Sequence, residues 1–180
     1  MIMGFKKVNK HFDFNEKDIS EGKYDAWELI QPLWYNVNIY DSIEVYNKDL
    51  EPFSDGQRKM LALLWYDSEV NNGGHDQFFS NSTGIVWQDA IECMKMIGAV
   101  EYAENFQKAI DMFGEAVPFD RDERNEILER LNEDKDFDDF EQNDSFYYEE
   151  GTIYQLMNDY VKEHASDFVV KGDYLYYEMD

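Results

Sequence analysis

Apolar residues recur at helical spacing along most of the chain. Met60, Leu61, Leu64 and Trp65, broadened by Leu63, Tyr66 and Val70, follow the three-and-four spacing of a helix face wide enough to face a core. Ser54 stands ahead of that stripe as a candidate N-cap. Gln57 follows three residues later, where each side chain can bond the other's backbone. Trp87, Ala90, Ile91, Met94 and Ile97 form a second stripe; Tyr102, Ala103, Phe106, Ala109, Ile110 and Phe113 form the most regular one. The turn at Gly98 between them predicts an αα-hairpin, and Gly114 with Pro118 ends the pattern.

Weaker stripes flank this centre. Tyr24, Trp27, Leu29 and Ile30 suggest a short helix interrupted near Pro32, and Ile39, Ile43 and Tyr46 another. Asp122 to Leu131 has a modest apolar face, while Ile153, Leu156, Met157, Tyr160 and Val161 predict a final helix. The expected fold class is all-α, a compact multi-helix array with amphipathic helical hairpins. Residues 1–20 show no sustained period and read as an N-terminal arm or irregular cap. Residues 21–168 read as one helical domain, and 169–180 as a C-terminal tail or short edge element. A length of 180 residues suits a single domain.

Charge changes this picture. The net charge is -24, yet thirteen Phe, thirteen Tyr and four Trp supply a core that a disordered acidic chain lacks. The excess grows along the chain, from -3 over residues 1–60 to -8 over 61–120 and -13 over 121–180. Such a field attracts a basic protein surface and repels nucleic acid and anionic membranes, so neither direct nucleic-acid binding nor a membrane is expected. Spread over a surface of roughly 9,000 Å², the excess amounts to about one charge per 380 Å². Duplex DNA carries about one per 110 Å². Any imitation of DNA therefore needs carboxylates gathered on one face. Glu129 to Glu150 holds ten acids and two bases, and within it Asp134, Asp136, Asp138, Asp139 and Glu141 are the candidate partner contacts.

Chemistry is sparse. Cys93, the only cysteine, reads as a buried structural thiol. His11, His75 and His164 have no ligand spacing, and Asp136, Asp138 and Glu141 lack the calcium-loop pattern, so no metal and no cofactor is expected. The absence of a signal-peptide run or a long apolar window makes cytoplasmic the expected location.

The run from Asn71 to Gly84 is the most distinctive segment. Asn71, Asn72, Gly73 and Gly74 suit the end of a helix, and Asn81 and Gly84 suit a turn into the next. Between them Asp76 and Gln77 can satisfy backbone groups while Phe78 and Phe79 anchor the segment. These ten residues form the candidate structural motif. The alternative is a small helical enzyme using His75 with Asp76 as acid and base. Neighbouring residues on a helix point about 100° apart, so that pairing requires nonhelical geometry. No catalytic residue is assigned.

This run, with the Ile97-Gly98-Ala99 turn and its flanking helices, resembles a bacterial domain-of-unknown-function family, the one that includes the neisserial DNA-mimic protein. The resemblance covers roughly Trp27 to Phe168. It implies a compact all-α domain and an acidic protein-interaction module. In the DNA-mimic member an acidic surface occupies the DNA-binding face of a helix-turn-helix regulator. The implied partner is thus the basic surface of a DNA-binding regulator; an acidic structural scaffold and a homodimer stay open. His75 departs from the aromatic or apolar residue that the family pattern leads one to expect there.

Overall fold

A computed structural model describes residues 5–131, 140–150 and 153–179. Among these the chain runs β1 (Phe5–Phe14), α1 (Glu16–Ser20), α2 (Ala26–Trp34), α3 (Ile43–Leu50), α4 (Asp55–Ser80), α5 (Trp87–Met96) and α6 (Val100–Asp111). It continues through α7 (Arg121–Leu131), α8 (Glu141–Glu150), α9 (Tyr154–Glu163) and β2 (Val170–Met179). Short 3-10 turns at Ser82–Val86 and Ala165–Phe168 complete the described elements. The fold is an all-α array with one minor two-stranded sheet.

The central helix is α4, and its sequence explains why. Gln57 N–H donates to Ser54 Oγ at 3.0 Å while Ser54 N–H donates to Gln57 Oε1 at 2.9 Å, the reciprocal cap that the spacing predicts. Met60, Leu61, Leu63, Leu64, Tyr66 and Val70 are all buried. Helices α2, α5, α7 and α8 pack around α4. The α5–α6 hairpin closes as expected at Gly98, where Ala99 N–H reaches back to the Met94 carbonyl at 2.8 Å. From α6, fully buried Phe106 inserts against Tyr66, Phe78 and Phe79, with ring centroids 4.3, 5.6 and 5.9 Å away. A second reciprocal cap, Asp25 with Glu28, starts α2, and that helix continues past Pro32 to Trp34.

The N-terminal segment differs from expectation. Residues 1–20 were expected to form an arm or irregular cap, but Phe5–Phe14 is a strand paired antiparallel with Val170–Met179. Its period of two is disguised by a lysine on the inner row. Phe12 and Phe14 are buried and Lys10 shares their side, its Nζ lying 4.0 Å from the Tyr176 ring centroid and 5.0 Å from that of Phe12. On the outer row, Asp13 faces Lys171 at 2.8 Å and His11 faces Asp173 at 2.8 Å. A strand whose partner lies more than 150 residues away leaves no local signal. Among the described residues no helix is long and apolar enough to cross a membrane.

Candidate functional site

Helix α4 is broken where the motif carries two glycines. Gly73 has φ -158° and ψ 26°, and Gly74 has φ 74° and ψ -173°. Gly74 is required on two counts: its φ lies in the left-handed region, and a Cβ there would meet the Asp144 carboxylate. The break turns His75 toward α8. The His75 backbone N–H donates to Asp144 Oδ1 at 2.9 Å, and ring Nδ1 lies 2.5 Å from the same oxygen. Nε2 lies 2.8 Å from the Tyr66 hydroxyl. The carboxylate accepts from Nδ1–H, and Nε2 shares a hydrogen bond with the Tyr66 hydroxyl whose direction is set by the charge of the ring. His75 and Tyr66 are fully buried, with Phe106 and Phe140 beside the imidazole. Burial, then the charges of Asp144 and Asp67, holds the Tyr66 hydroxyl well above its ordinary pKa. The partner of His75 is thus Asp144, 69 residues away, and not Asp76, which is exposed.

Two further acids of α4 are met by uncharged groups. Buried Asp67 accepts hydrogen bonds from the Tyr147 hydroxyl, the Tyr154 hydroxyl at 2.7 Å and Asn71 Nδ2 at 3.0 Å. Burial first, together with the Asp67 carboxylate, pushes the Tyr147 and Tyr154 hydroxyls up. Glu69 accepts from Gln77 Nε2 at 2.6 Å, Asn81 Nδ2 at 2.9 Å and Thr83 Oγ1 at 3.0 Å. Asn72 Nδ2 in turn donates to Gln77 Oε1 at 3.1 Å. Three motif residues (Asn71, Gln77 and Asn81) therefore spend their side chains on acids of the same helix.

The far end of the motif holds α7. Phe78 and Phe79 are fully buried, as is Arg124, whose guanidinium donates to the carbonyls of Phe79, Asn81, Pro118 and Phe119 at 2.8, 2.8, 3.0 and 2.8 Å. Burial, then the charge of Arg121, lowers Arg124 to about 10. A Cβ at Gly84 would sit 2.7 Å from Arg124 Nε, so the arginine's seat depends on that glycine.

A groove of about 1380 Å³ opens above Asp67 and Glu69. Its base is the middle of α4. Trp27 and Trp34 of α2, Tyr147 and Tyr148 of α8, and Tyr154 and Asn158 of α9 line it. Trp34 stacks on Trp65 with centroids 3.6 Å apart and meets Trp27 edge to face at 4.9 Å.

A second candidate surface is the outer flank of α6 and α8. These helices are joined by Asn105 and Asn143, each of whose amides donates to the other's backbone carbonyl, at 3.1 and 2.8 Å. Glu101 and Glu104 are exposed on α6, and Glu141, Glu149 and Glu150 are exposed on α8. Burial raises the Tyr102 hydroxyl pKa, followed by the charges of Glu150, Asp67 and Glu101, so acids from both helices bear on one hydroxyl. None of the five glutamates takes part in an ion pair among the described residues. Of the partner contacts expected from the sequence, Glu141 is the exposed first residue of α8. Asp134, Asp136, Asp138 and Asp139 lie outside the described residues.

Sequence reasoning missed Tyr66, Asp67, Glu69 and Asp144 as site residues. Asp67 to Asn71 and Gln77 to Asn81 are each four apart, a spacing that places polar partners on one face. Nothing in the sequence tied Asp144 to His75. Among the described residues no group of three or more His, Cys, Asp or Glu is arranged to hold a metal ion. A family model described as DMP19-like protein matches residues 51–164, which span the groove floor, the His75 contacts and the α6–α8 pair. No curated protein and no solved structure matches the chain.

Proposed function

Since the chain belongs to the DMP19-like protein family, we propose that it is an acidic protein-interaction module acting as a DNA mimic on the basic surface of a nucleic-acid-binding regulator. Family membership supports an interaction or DNA-mimic role in general. The observation that supports the finer reading is the packing of α6 on α8 through Asn105 and Asn143, with exposed glutamates on both helices. Average acidity over the surface is too thin to imitate a duplex, but the two packed helices α6 and α8 carry five exposed glutamates between them. Each can accept a bidentate bond from an arginine that otherwise reads phosphate. The run containing Asp134, Asp136, Asp138 and Asp139 leads into α8 in sequence and supplies the further candidate contacts.

The small-enzyme alternative has less support. Both ring nitrogens of His75 are engaged by protein groups, and His75 is absent from the groove lining. This favours a structural role for the imidazole.

The test is competition. A helix-turn-helix regulator from the same genome, bound to a fluorescent duplex, is titrated with the protein. The wild type should release the duplex, and a variant carrying Glu101→Gln, Glu104→Gln, Glu149→Gln and Glu150→Gln should release far less. A regulator that is bound by the protein yet takes up DNA with unchanged affinity contradicts mimicry.

A further inference from the structure

The groove beside α4 has a chemistry distinct from that of the α6–α8 flank. Every charged side chain among its described lining residues is acidic: Asp25, Asp67 and Glu69. Its remaining surface is largely aromatic and amide. An anion is repelled there. A wholly apolar guest would strip water from half-buried Glu69 and offer it nothing in return. A cation with a flat or apolar body satisfies both requirements, because it is attracted to carboxylates and to the faces of aromatic rings.

The neutral donors around the acids sharpen this choice. Asp67 and Glu69 receive hydrogen bonds from tyrosine, asparagine, glutamine and threonine side chains, which hold the carboxylates in place without cancelling their charge. Each carboxylate retains lone-pair capacity for another donor. Beside them stands Trp34, braced from behind by its stack on Trp65 and met edge-on by Trp27. A rigid indole wall next to fixed acids suits the planar guanidinium better than the compact, strongly hydrated ammonium. The space, about 1380 Å³, exceeds what one side chain fills and accommodates an extended stretch of peptide.

We infer that this groove receives an arginine-bearing peptide segment of a protein partner, with the guanidinium between the Trp27–Trp34 wall and the Asp67–Glu69 pair. The inference rests on the reading of the chain as a binder of basic proteins. It assigns to a recessed groove a recognition step that the exposed flank does not perform.

The probe is the blocked pentapeptide Gly-Arg-Gly-Arg-Gly, followed by calorimetry and by tryptophan fluorescence of the full chain. Its counterparts carry citrulline or lysine in place of arginine. Arginine should bind tightest, citrulline should not bind measurably, and the arginine peptide should change the tryptophan emission. Asp25→Asn with Glu69→Gln should weaken arginine binding about tenfold. Glu51→Gln with Glu163→Gln removes the same charge from exposed sites outside the groove and should alter binding by less than about twofold. If the double groove variant fails to fold, Asp25→Asn alone, which preserves a good N-cap, should still weaken binding about threefold. Equal binding of the arginine and citrulline peptides, equal binding of arginine and lysine, or full binding by a folded groove variant would each overturn the assignment. Failure here with DNA competition intact removes the groove and leaves the interaction module. Arginine binding without any regulator competition leaves the groove and removes the mimic.

Discussion

The carboxylates beneath the α4 break and those on the α6–α8 flank differ in what meets them. Asp67 and Glu69 each accept three side-chain bonds from uncharged donors, and Asp144 accepts both the backbone and the ring of His75. Glu101, Glu104, Glu141, Glu149 and Glu150 face solvent. Removing a donor from the inner set leaves a desolvated group unpaired, which costs far more than the bond is worth in water. Removing an outer carboxylate leaves only water to rearrange. The same chemical group is therefore fixed by the fold in one region, where a guest must come to it, and is free to move to a partner in the other. Net charge alone does not separate the two uses; burial does.

That contrast should appear first in stability. Phe106→Ala empties the space between Tyr66, Phe78 and Phe79 and should cost about 3–5 kcal/mol in urea unfolding. A loss below about 1 kcal/mol would mean that the inner region is not packed as described. Next, His75→Ala leaves both Asp144 and the Tyr66 hydroxyl without their shared partner and should cost about 2–4 kcal/mol. Helical circular dichroism should persist at low temperature. If His75→Ala is as stable as the wild type, the inner carboxylates do not behave differently from the outer ones.

A third expectation concerns alkaline pH. Burial, as the leading cause, raises the hydroxyls of Tyr46, Tyr66, Tyr147 and Tyr154 above the ordinary tyrosine value. Above about pH 10 the unfolded chain sheds protons that the folded chain keeps. Unfolding then releases protons, so this contribution is fully present below about pH 10 and is lost as pH rises further. Ultraviolet titration should resolve an early tyrosinate class from a late class that ionises only as near-ultraviolet dichroism collapses. All thirteen tyrosines titrating together in an intact fold would contradict the buried hydroxyl network.

Much of the helical array was legible because its signals are local. The Ser54–Gln57 cap, the α4 stripe and the Gly98 hairpin each depend on residues within a turn or two of one another. What was not legible depends on distance along the chain. The β1–β2 pair joins the two ends, and Lys10 on its inner row hid the alternation. His75 looked like a partner for adjacent Asp76, while the break at Gly74 aims it at Asp144. The glycine pair, read as the end of a helix, coincides with a break inside α4, and no sequence rule indicates which distant carboxylate fills the space a Cβ would take. Likewise Asn71 and Gln77 read as helix-end groups, while their side chains bond Asp67 and Glu69 within α4.

The smallest expected change in stability belongs to the flank, and there the central claim is most exposed. Replacing Glu101, Glu104, Glu141, Glu149 and Glu150 with Gln should move unfolding stability by no more than about 0.5 kcal/mol per site. The decisive measurement is the association rate of this folded variant and of the wild type with a regulator's DNA-binding domain, at about 0.05 M and about 0.5 M salt. The account predicts fast wild-type association that falls steeply with salt, and slow variant association that changes little. Equal rates and equal salt dependence for the two proteins would contradict it.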